Sequence, residues 1–224
     1  MKKIIGLIVA ALSLVATSVA QAADALVGTF KIAPGQDSAS GVKGSWFRMV
    51  QPGGSLGSGP FVSNVSSSAS DDTYTFLSPG TDGGLKTGAF QPQPSPAFDA
   101  LGNSLAGRIV DPTPFFAIDF AVSTSSPDPQ TGSSVPAPAL SYDGKGNISG
   151  NVRAFGAAWN NQQFNQGSPK PDGTTPGLTA GPTGHYDPDT GAYTLDWSSH
   201  IQGGPFDGFT GKWHLTGSFQ GNKG

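Results

Sequence analysis

Apolar and polar residues alternate with a period of two in several stretches of the chain, the pattern of β-strands with one buried face. After residue 22 no stretch has the 3.6-residue period of a helix. The pattern therefore predicts an all-β fold, either an antiparallel β-sandwich or a closed β-barrel built from hairpins. The predicted strands cover residues 26–32, 44–50, 116–122, 148–154, 193–197 and 213–219.

Two short segments between these stretches have the composition of hairpin turns. Residues 143–146 read Asp-Gly-Lys-Gly, and residues 187–191 read Asp-Pro-Asp-Thr-Gly. Glycine accepts the positive φ that such turns need, and proline has the φ of a type I turn. Residues 91–98 and 160–183 are instead rich in proline, glycine and amides and predict long irregular loops. Strand-like segments of similar composition flank both loops, so we expect residues 23–224 to form a single all-β domain.

The C-terminal segment predicts a hairpin with one preferred register. If residues 191–201 pair with 209–219 across the loop at 202–208, positions whose numbers sum to 410 face each other. Trp197 then faces Trp213, and Asp196 faces His214 on the opposite surface. Asp196 and His214 are a candidate polar pair, either an oriented general base or a cross-strand contact, and we favour the contact.

The two ends of the predicted domain carry similar sequences. Residues 27–30 read Val-Gly-Thr-Phe, and residues 216–219 read Thr-Gly-Ser-Phe. If these ends pair, the sheet closes on itself and its edges are protected. The alternation at residues 26–32 also allows a different hypothesis, in which this strand is donated to a neighbouring subunit.

The composition narrows the function classes. All 15 acidic residues are aspartate, cysteine is absent, and only 12% of the residues are charged. The formal net charge of −3 argues against nucleic acid as a partner, which requires a basic surface. A polar but nearly uncharged surface suits extracellular polymers, so polysaccharide binding and self-association are the partners that we expect.

The first 22 residues have the features of a cleavable signal peptide. Lys2 and Lys3 precede an apolar run, and residues 20–22 read Ala-Gln-Ala, with small residues at the usual cleavage spacing. We therefore expect export to the periplasm or to the extracellular surface. No second long apolar run follows, so we expect no transmembrane helix in the mature chain.

An aromatic and amide-rich segment is the candidate carbohydrate contact. Aromatic rings stack on the C–H faces of sugars, and amides pair with hydroxyl groups. The alternative is a core tryptophan that ends a strand and is followed by a polar loop. The candidate residues are Trp159, Asn160, Asn161, Gln163, Phe164 and Asn165.

Metal and catalytic signals are weaker. Asp187 and Asp189 resemble the opening of a calcium loop, and Asp71 with Asp72 is a second possible site, so a structural calcium is possible and no other cofactor is expected. Asp119 lies among apolar residues and is the best candidate for glycosidase chemistry, which needs two carboxylates. No partner carboxylate can be identified, so an enzyme is the less favoured interpretation.

Four function hypotheses remain. The first is an exported, non-catalytic protein with a structural or adhesive role at the cell surface or in the extracellular matrix. The second is a secreted carbohydrate-binding module, and the third is a secreted hydrolase that acts on polysaccharide. The fourth is an outer-membrane barrel, although four tyrosines would make a poor aromatic girdle.

Overall fold

The computed structural model describes residues 23–223, and in this part of the chain the regular structure is β-strand, with one short 3-10 turn at Gly204–Phe206 and no α-helix. The all-β prediction is confirmed. The strands are β1 (Asp24–Ile32), β2 (Gln36–Ser38), β3 (Gly41–Lys43), β4 (Trp46–Ser55), β5 (Gly59–Phe61), β6 (Thr75–Phe76), β7 (Gly84–Lys86), β8 (Thr113–Phe115), β9 (Ile118–Thr124), β10 (Ala139–Tyr142), β11 (Asn147–Asn151), β12 (Phe155–Trp159), β13 (Gln162–Asn165), β14 (Ala180–Tyr186), β15 (Ala192–His200) and β16 (Thr210–Lys223).

Six strands form a closed antiparallel barrel, in the order β16, β15, β14, β11, β10 and β1, with β1 pairing again with β16. The closure places Phe30 opposite Phe219 and Gly28 opposite Gly221. The strands that carry the similar sequences thus pair, and the two sequences meet at Phe30 and Phe219. Closure leaves the barrel without free edges along these pairings, which protects it against edge-to-edge association.

The predicted hairpins are also confirmed, and so is the register predicted for the C-terminal one. Tyr142 pairs with Ile148 across the turn at 143–146, and Tyr186 pairs with Tyr193 across the turn at 187–191. In the C-terminal hairpin Trp197 faces Trp213 and Asp196 faces His214. Each pairing places apolar side chains opposite apolar ones on the buried surface and polar side chains opposite polar ones on the outer surface. A shift by one residue would exchange the two surfaces, which is why the register is fixed.

The barrel interior is filled by aromatic rings and by glycines that let the strands approach closely. The Phe30 ring lies 4.9 Å from the ring of Tyr193 and 4.9 Å from that of Phe219. At Gly184 a Cβ atom would lie 1.9 Å from the Thr194 carbonyl oxygen, so the close approach requires glycine. Large side chains that alternate with glycines fill the narrow interior of a six-stranded barrel.

A second layer packs beyond the barrel. The first half of β16 continues past it and pairs with β4, so that Trp213 lies opposite Phe47. A four-stranded sheet, in the order β13, β12, β9 and β8, packs against this extension. Phe155 in β12 has its ring 5.0 Å from those of Trp197 and Trp213. The molecule thus combines a barrel with a two-layer sandwich.

Two strand predictions differ from the structure. The alternating stretch at 116–122 is divided, since β8 ends at Phe115 and β9 begins at Ile118, with Phe116 and Ala117 in the turn at φ 49° and 64°. The predicted loop at 160–183 contains β13 and the start of β14. In both cases a tight turn between two short strands lacks glycine, the residue that usually marks such turns.

The predicted signal segment, residues 1–22, lies outside the described residues. Across residues 23–223 there is no helix with the length and apolarity needed to span a membrane. β1, the strand of the donation hypothesis, is hydrogen-bonded within the chain on both edges, to β16 on one side and to β10 and β7 on the other. Donation to another subunit stays a prediction.

Candidate functional site

A row of four side chains crosses the outer surface of the large sheet. Thr183 in β14, Asp196 in β15, His214 in β16 and Trp46 in β4 are in register, each opposite the next. The neighbouring positions in β15 and β16 carry Trp197 and Trp213, which point into the core. Since side chains alternate between the faces of a strand, the four residues point outward. We call them the outer row.

The centre of the outer row is held by specific contacts. His214 Nδ1 lies 2.8 Å from Asp196 Oδ1, and the His214 ring stacks on the Trp46 indole at 4.9 Å and an interplanar angle of 20°. The Asp196 side chain is 43% exposed and that of His214 is 21% exposed. The carboxylate thus orients the imidazole, the imidazole supports one face of the indole, and all of them remain close to solvent.

A second row beside it supplies cationic groups. Lys212 lies opposite Arg48 on one side and Ser198 on the other. The Lys212 ammonium donates a hydrogen bond to the Leu56 carbonyl oxygen at 2.8 Å and lies 5.5 Å from the centre of the Trp46 ring. The Arg48 guanidinium lies over the Phe61 ring at 3.5 Å. Cation–π contacts of this kind fix long side chains that would otherwise be mobile.

A cleft lies at the β14 end of the outer row. Leu56 forms one wall, Ala180 and Gly181 form another, and Asp196 and Lys212 line it as well. The cleft has a free volume of about 110 Å³ and is partly open to solvent. It therefore extends the row into a depression that is lined by both a carboxylate and an ammonium group.

The six residues of the candidate carbohydrate segment do not form one open surface. Trp159 is buried, and its indole N–H donates to the carbonyl oxygens of Phe115 at 2.7 Å and Ile118 at 3.1 Å. Phe164 and Asn165 are buried as well. The indole is a core residue with its donor satisfied, which is the structural alternative considered for the sequence.

The remaining members of that segment lie at and near a hairpin tip. Asn160 and Asn161 form the turn between β12 and β13 at φ 49° and 58°, a conformation that asparagine tolerates well. The Gln163 amide donates to Gln93 Oε1 at 2.8 Å. Asn160 and Gln163 are partly exposed and Asn161 is exposed. That these amides contact a carbohydrate stays a prediction.

The calcium candidates act as turn residues within the described chain. Hydrogen bonding to Thr190 lowers the pKa of Asp187, which also accepts from the Asp189 amide. Hydrogen bonding to Thr73 likewise lowers the pKa of Asp71. Asp72 accepts a hydrogen bond from the Ser63 hydroxyl. No group of three or more histidine or acidic side chains suited to a metal ion occurs in residues 23–223.

One buried lysine was not apparent from the sequence. Lys170 is 2% exposed, and its ammonium donates to Ser199 Oγ and to the Asn165 carbonyl oxygen, both at 2.8 Å. Burial lowers the pKa of Lys170 to about 8, although the nearby carboxylates of Asp128 and Asp172 raise it. Ser199 is fully buried, so this lysine–serine pair has a structural geometry with no approach for a substrate.

Comparison of the chain with known protein families, curated proteins and solved structures finds no match. The function is therefore inferred from the geometry of the chain itself. The sequence singled out Asp196 and His214 but not Trp46, because the pairing of β4 with β16 joins residues far apart in the chain. The local pattern at 44–50 predicts a strand and carries no signal for its neighbour.

Proposed function

We propose that the protein is an exported, non-catalytic carbohydrate-binding protein that holds a short segment of neutral glycan along the outer row. The observation that carries the proposal is the row of Thr183, Asp196, His214 and Trp46, in register across four strands. Three inter-strand spacings of about 4.8 Å give the row a length of about 14 Å. That length suits a short oligosaccharide better than a single sugar.

The groups along the row have the chemistry that sugars need. Asp196 accepts hydrogen bonds from hydroxyl groups, whereas Lys212 and Thr183 donate them. The indole of Trp46 contacts His214 and Tyr74 and is partly exposed, so its exposed part offers an apolar surface for C–H groups. The charges of Asp196 and Lys212 offset each other, and Arg48 is paired with Asp71 at 3.7 Å, so the balance of charge favours a neutral glycan over a charged one. Fixed side chains reduce the conformational entropy that binding would otherwise lose.

The same residues give little support to hydrolysis. Glycosidases place two carboxyl groups about 5–10 Å apart on either side of the scissile bond. The outer row has one carboxylate, Asp196, and it is paired with His214. Asp119, the other carboxylate considered, lies in β9 of the second sheet. A protein that holds polysaccharide without cleaving it is adhesive, so the proposal unites the adhesive and carbohydrate-binding hypotheses.

The test is a titration of the mature protein with the hexasaccharides of cellulose, mannan, xylan, laminarin and chitin, followed by two-dimensional amide NMR. We expect at least one of them to shift the amides of β14, β15, β16 and β4. Trp46→Ala and Asp196→Asn should each weaken that binding by about tenfold or more. Asn161→Ala, an exposed change at the β12–β13 turn, is the matched control.

Each outcome separates the proposal from its alternatives. If Asn161→Ala weakens binding and Trp46→Ala does not, the amide-rich hairpin is the glycan site and the outer row is not. If none of the five hexasaccharides shifts the outer row, the proposed function is wrong. Shortening of the bound oligosaccharide during the titration would show hydrolysis instead.

A further inference from the structure

The space between the two layers contains an apolar pocket on the opposite face of the sheet from the outer row. Eleven residues line the pocket, which has a free volume of about 40 Å³ and is partly open to solvent. Ten of them are apolar, and most of these are aromatic, including Phe115, Phe120, Trp159 and Trp213. Small-molecule sites are usually lined in this way but are several times larger, so a ligand can enter here only if a lining side chain moves.

The one polar residue in the lining already has a hydrogen-bond partner at each polar atom of its side chain. Gln166 is buried, its Oε1 accepts from Trp213 Nε1 at 3.2 Å, and its Nε2 donates to the Asn165 carbonyl oxygen at 3.1 Å. The indole of Trp159 is likewise satisfied by backbone carbonyl groups. A charged or strongly polar ligand would lose its hydration without compensation here. The ligand must therefore be apolar.

Phe206 stands at the mouth of this pocket. Its ring centre lies 5.6 Å from that of Trp159 and 5.7 Å from that of Phe115, and it stacks on Phe116 at 5.9 Å and 29°. These are favourable distances for aromatic pairs. Phe206 is nevertheless partly exposed, which distinguishes it from the fully buried rings behind it. A single aromatic ring is thus the group that the mouth already accommodates.

The segment that carries Phe206 has the features of a hinged loop. Gly203, Gly204 and Gly208 have φ values of 76°, 66° and 85°, so glycines flank Phe206 on both sides. The 3-10 turn within it buries none of its residues. Residues that absorb backbone rotation at both ends of a short segment allow it to move as a unit.

Beside this loop, the tip of the β8–β9 hairpin is held in an unusual conformation. Phe116 and Ala117 both have positive φ values, and Phe116 is exposed and stacks on Phe206. Left-handed backbone at a bulky residue carries a free-energy penalty and occurs most often at functional positions. The strained turn holds an exposed ring at the rim of the pocket.

We propose that the pocket binds a small, uncharged aromatic molecule, and that Phe206 is a plug whose ring the ligand replaces. In the absence of ligand the Phe206 side chain covers the apolar walls. On binding, the loop at 202–208 moves outward and the ligand ring contacts Trp159 and Phe115 in its place. This site is independent of the proposed glycan function, since the two sites lie on opposite faces of β4 and β16.

The experiment uses the fluorescent probe 1-naphthylamine, which is uncharged at neutral pH, with the mature protein. We expect saturable binding of one probe per chain with increased fluorescence. Phe206→Ala should tighten binding by about five- to tenfold, since the probe no longer displaces a half-buried ring. Phe206→Trp, which enlarges the plug, should weaken it. Phe90→Ala, a change at an exposed aromatic residue outside the pocket, should have no effect.

A further substitution separates the pocket from non-specific adsorption. Ala157 lines the pocket, and Ala157→Leu in the Phe206→Ala background fills the space that the probe requires. Binding should then be lost while the near-UV circular dichroism of the folded protein is retained. If this double variant misfolds, the comparison of probe affinity between the wild type and the single variant Phe206→Trp still tests the proposal. Equal affinity in the wild type, Phe206→Ala and Phe206→Trp, or no binding to any of them, would overturn the proposal.

Discussion

The barrel and the two-layer region are both built from aromatic side chains, but they are packed in different ways. In the barrel, rings such as Phe30 and Phe219 alternate with inward glycines, and every strand is hydrogen-bonded to two neighbours. Between the two layers the rings lie around a pocket, and Phe206 from a loop covers its mouth. A closed barrel fixes the spacing between its walls, whereas two open sheets can leave space between them.

This difference in packing assigns stability mainly to the barrel and ligand binding mainly to the two-layer region. Close-packed interiors resist changes of even one methylene group, because no empty space is available to absorb them. A pocket that retains empty space leaves van der Waals contacts unmade in the free protein, and a ligand can make them. We therefore expect the barrel to respond strongly to small changes in volume, and the two-layer region to respond mainly in binding.

The largest expected effect comes from two glycines of the same strand. Gly184→Ala would place a Cβ atom 1.9 Å from the Thr194 carbonyl oxygen, whereas a Cβ at Gly181 meets nothing within 4 Å. We expect Gly184→Ala to lower the free energy of unfolding by about 3 kcal/mol or more, and Gly181→Ala to change it by less than about 0.5 kcal/mol. Urea denaturation measures both. Equal effects would show that the barrel wall yields as easily as an open surface.

The pH dependence of stability probes the boundary between the two regions, where Lys170 is buried. Its folded pKa is about 8, and the unfolded value is about 10.4. Between these values the unfolded chain binds more protons, so the free energy of unfolding rises with pH; below pH 8 both states hold the proton and the contribution is constant. Complete deprotonation corresponds to a gain of about 3 kcal/mol.

Denaturation in urea at pH 7, 8, 9 and 10 measures this rise, and Lys170→Met should remove it. Above pH 10 Tyr193 opposes the trend, because burial raises its pKa above the value in the unfolded chain, where tyrosine then ionises first. The range from pH 8 to 10 therefore isolates the lysine. An unchanged rise in Lys170→Met would assign it to another group.

The features that could be predicted from the sequence lie mainly in the barrel, and those that could not lie mainly in the two-layer region. The barrel pairings of Phe30 with Phe219 and of Asp196 with His214 follow from alternation and from matched residues, because strand geometry converts spacing directly into position. The row that includes Trp46 was not predictable, since β4 reaches β16 through a long-range pairing. The inward orientation of Trp159 was open as well, because alternation does not say which face of the β12 strand is covered.

The two hairpin turns of the second sheet were not predicted from the sequence, and they differ in how much local signal the sequence carries. Asn160 and Asn161 have a composition that suits a tight turn with positive φ, so the sequence carried that signal. Phe116 and Ala117 carry no such signal, and in the sequence Phe116 continues the alternation of β9. Local preference thus opposes the observed conformation at one tip only, the tip beside the pocket.

The smallest expected effect tests whether the strained backbone at this tip contributes to ligand binding in the pocket. Ala117 has φ 64°, a conformation that glycine adopts without a steric penalty. We expect Ala117→Gly to raise the free energy of unfolding by about 0.5 kcal/mol. Ala121→Gly, in the middle of β9, should instead lower it by about 1 kcal/mol. If Ala117→Gly stabilises the chain but weakens binding of the naphthylamine probe, the strain serves to hold Phe116 at the rim; stabilisation with unchanged binding would leave the turn without a role in the pocket.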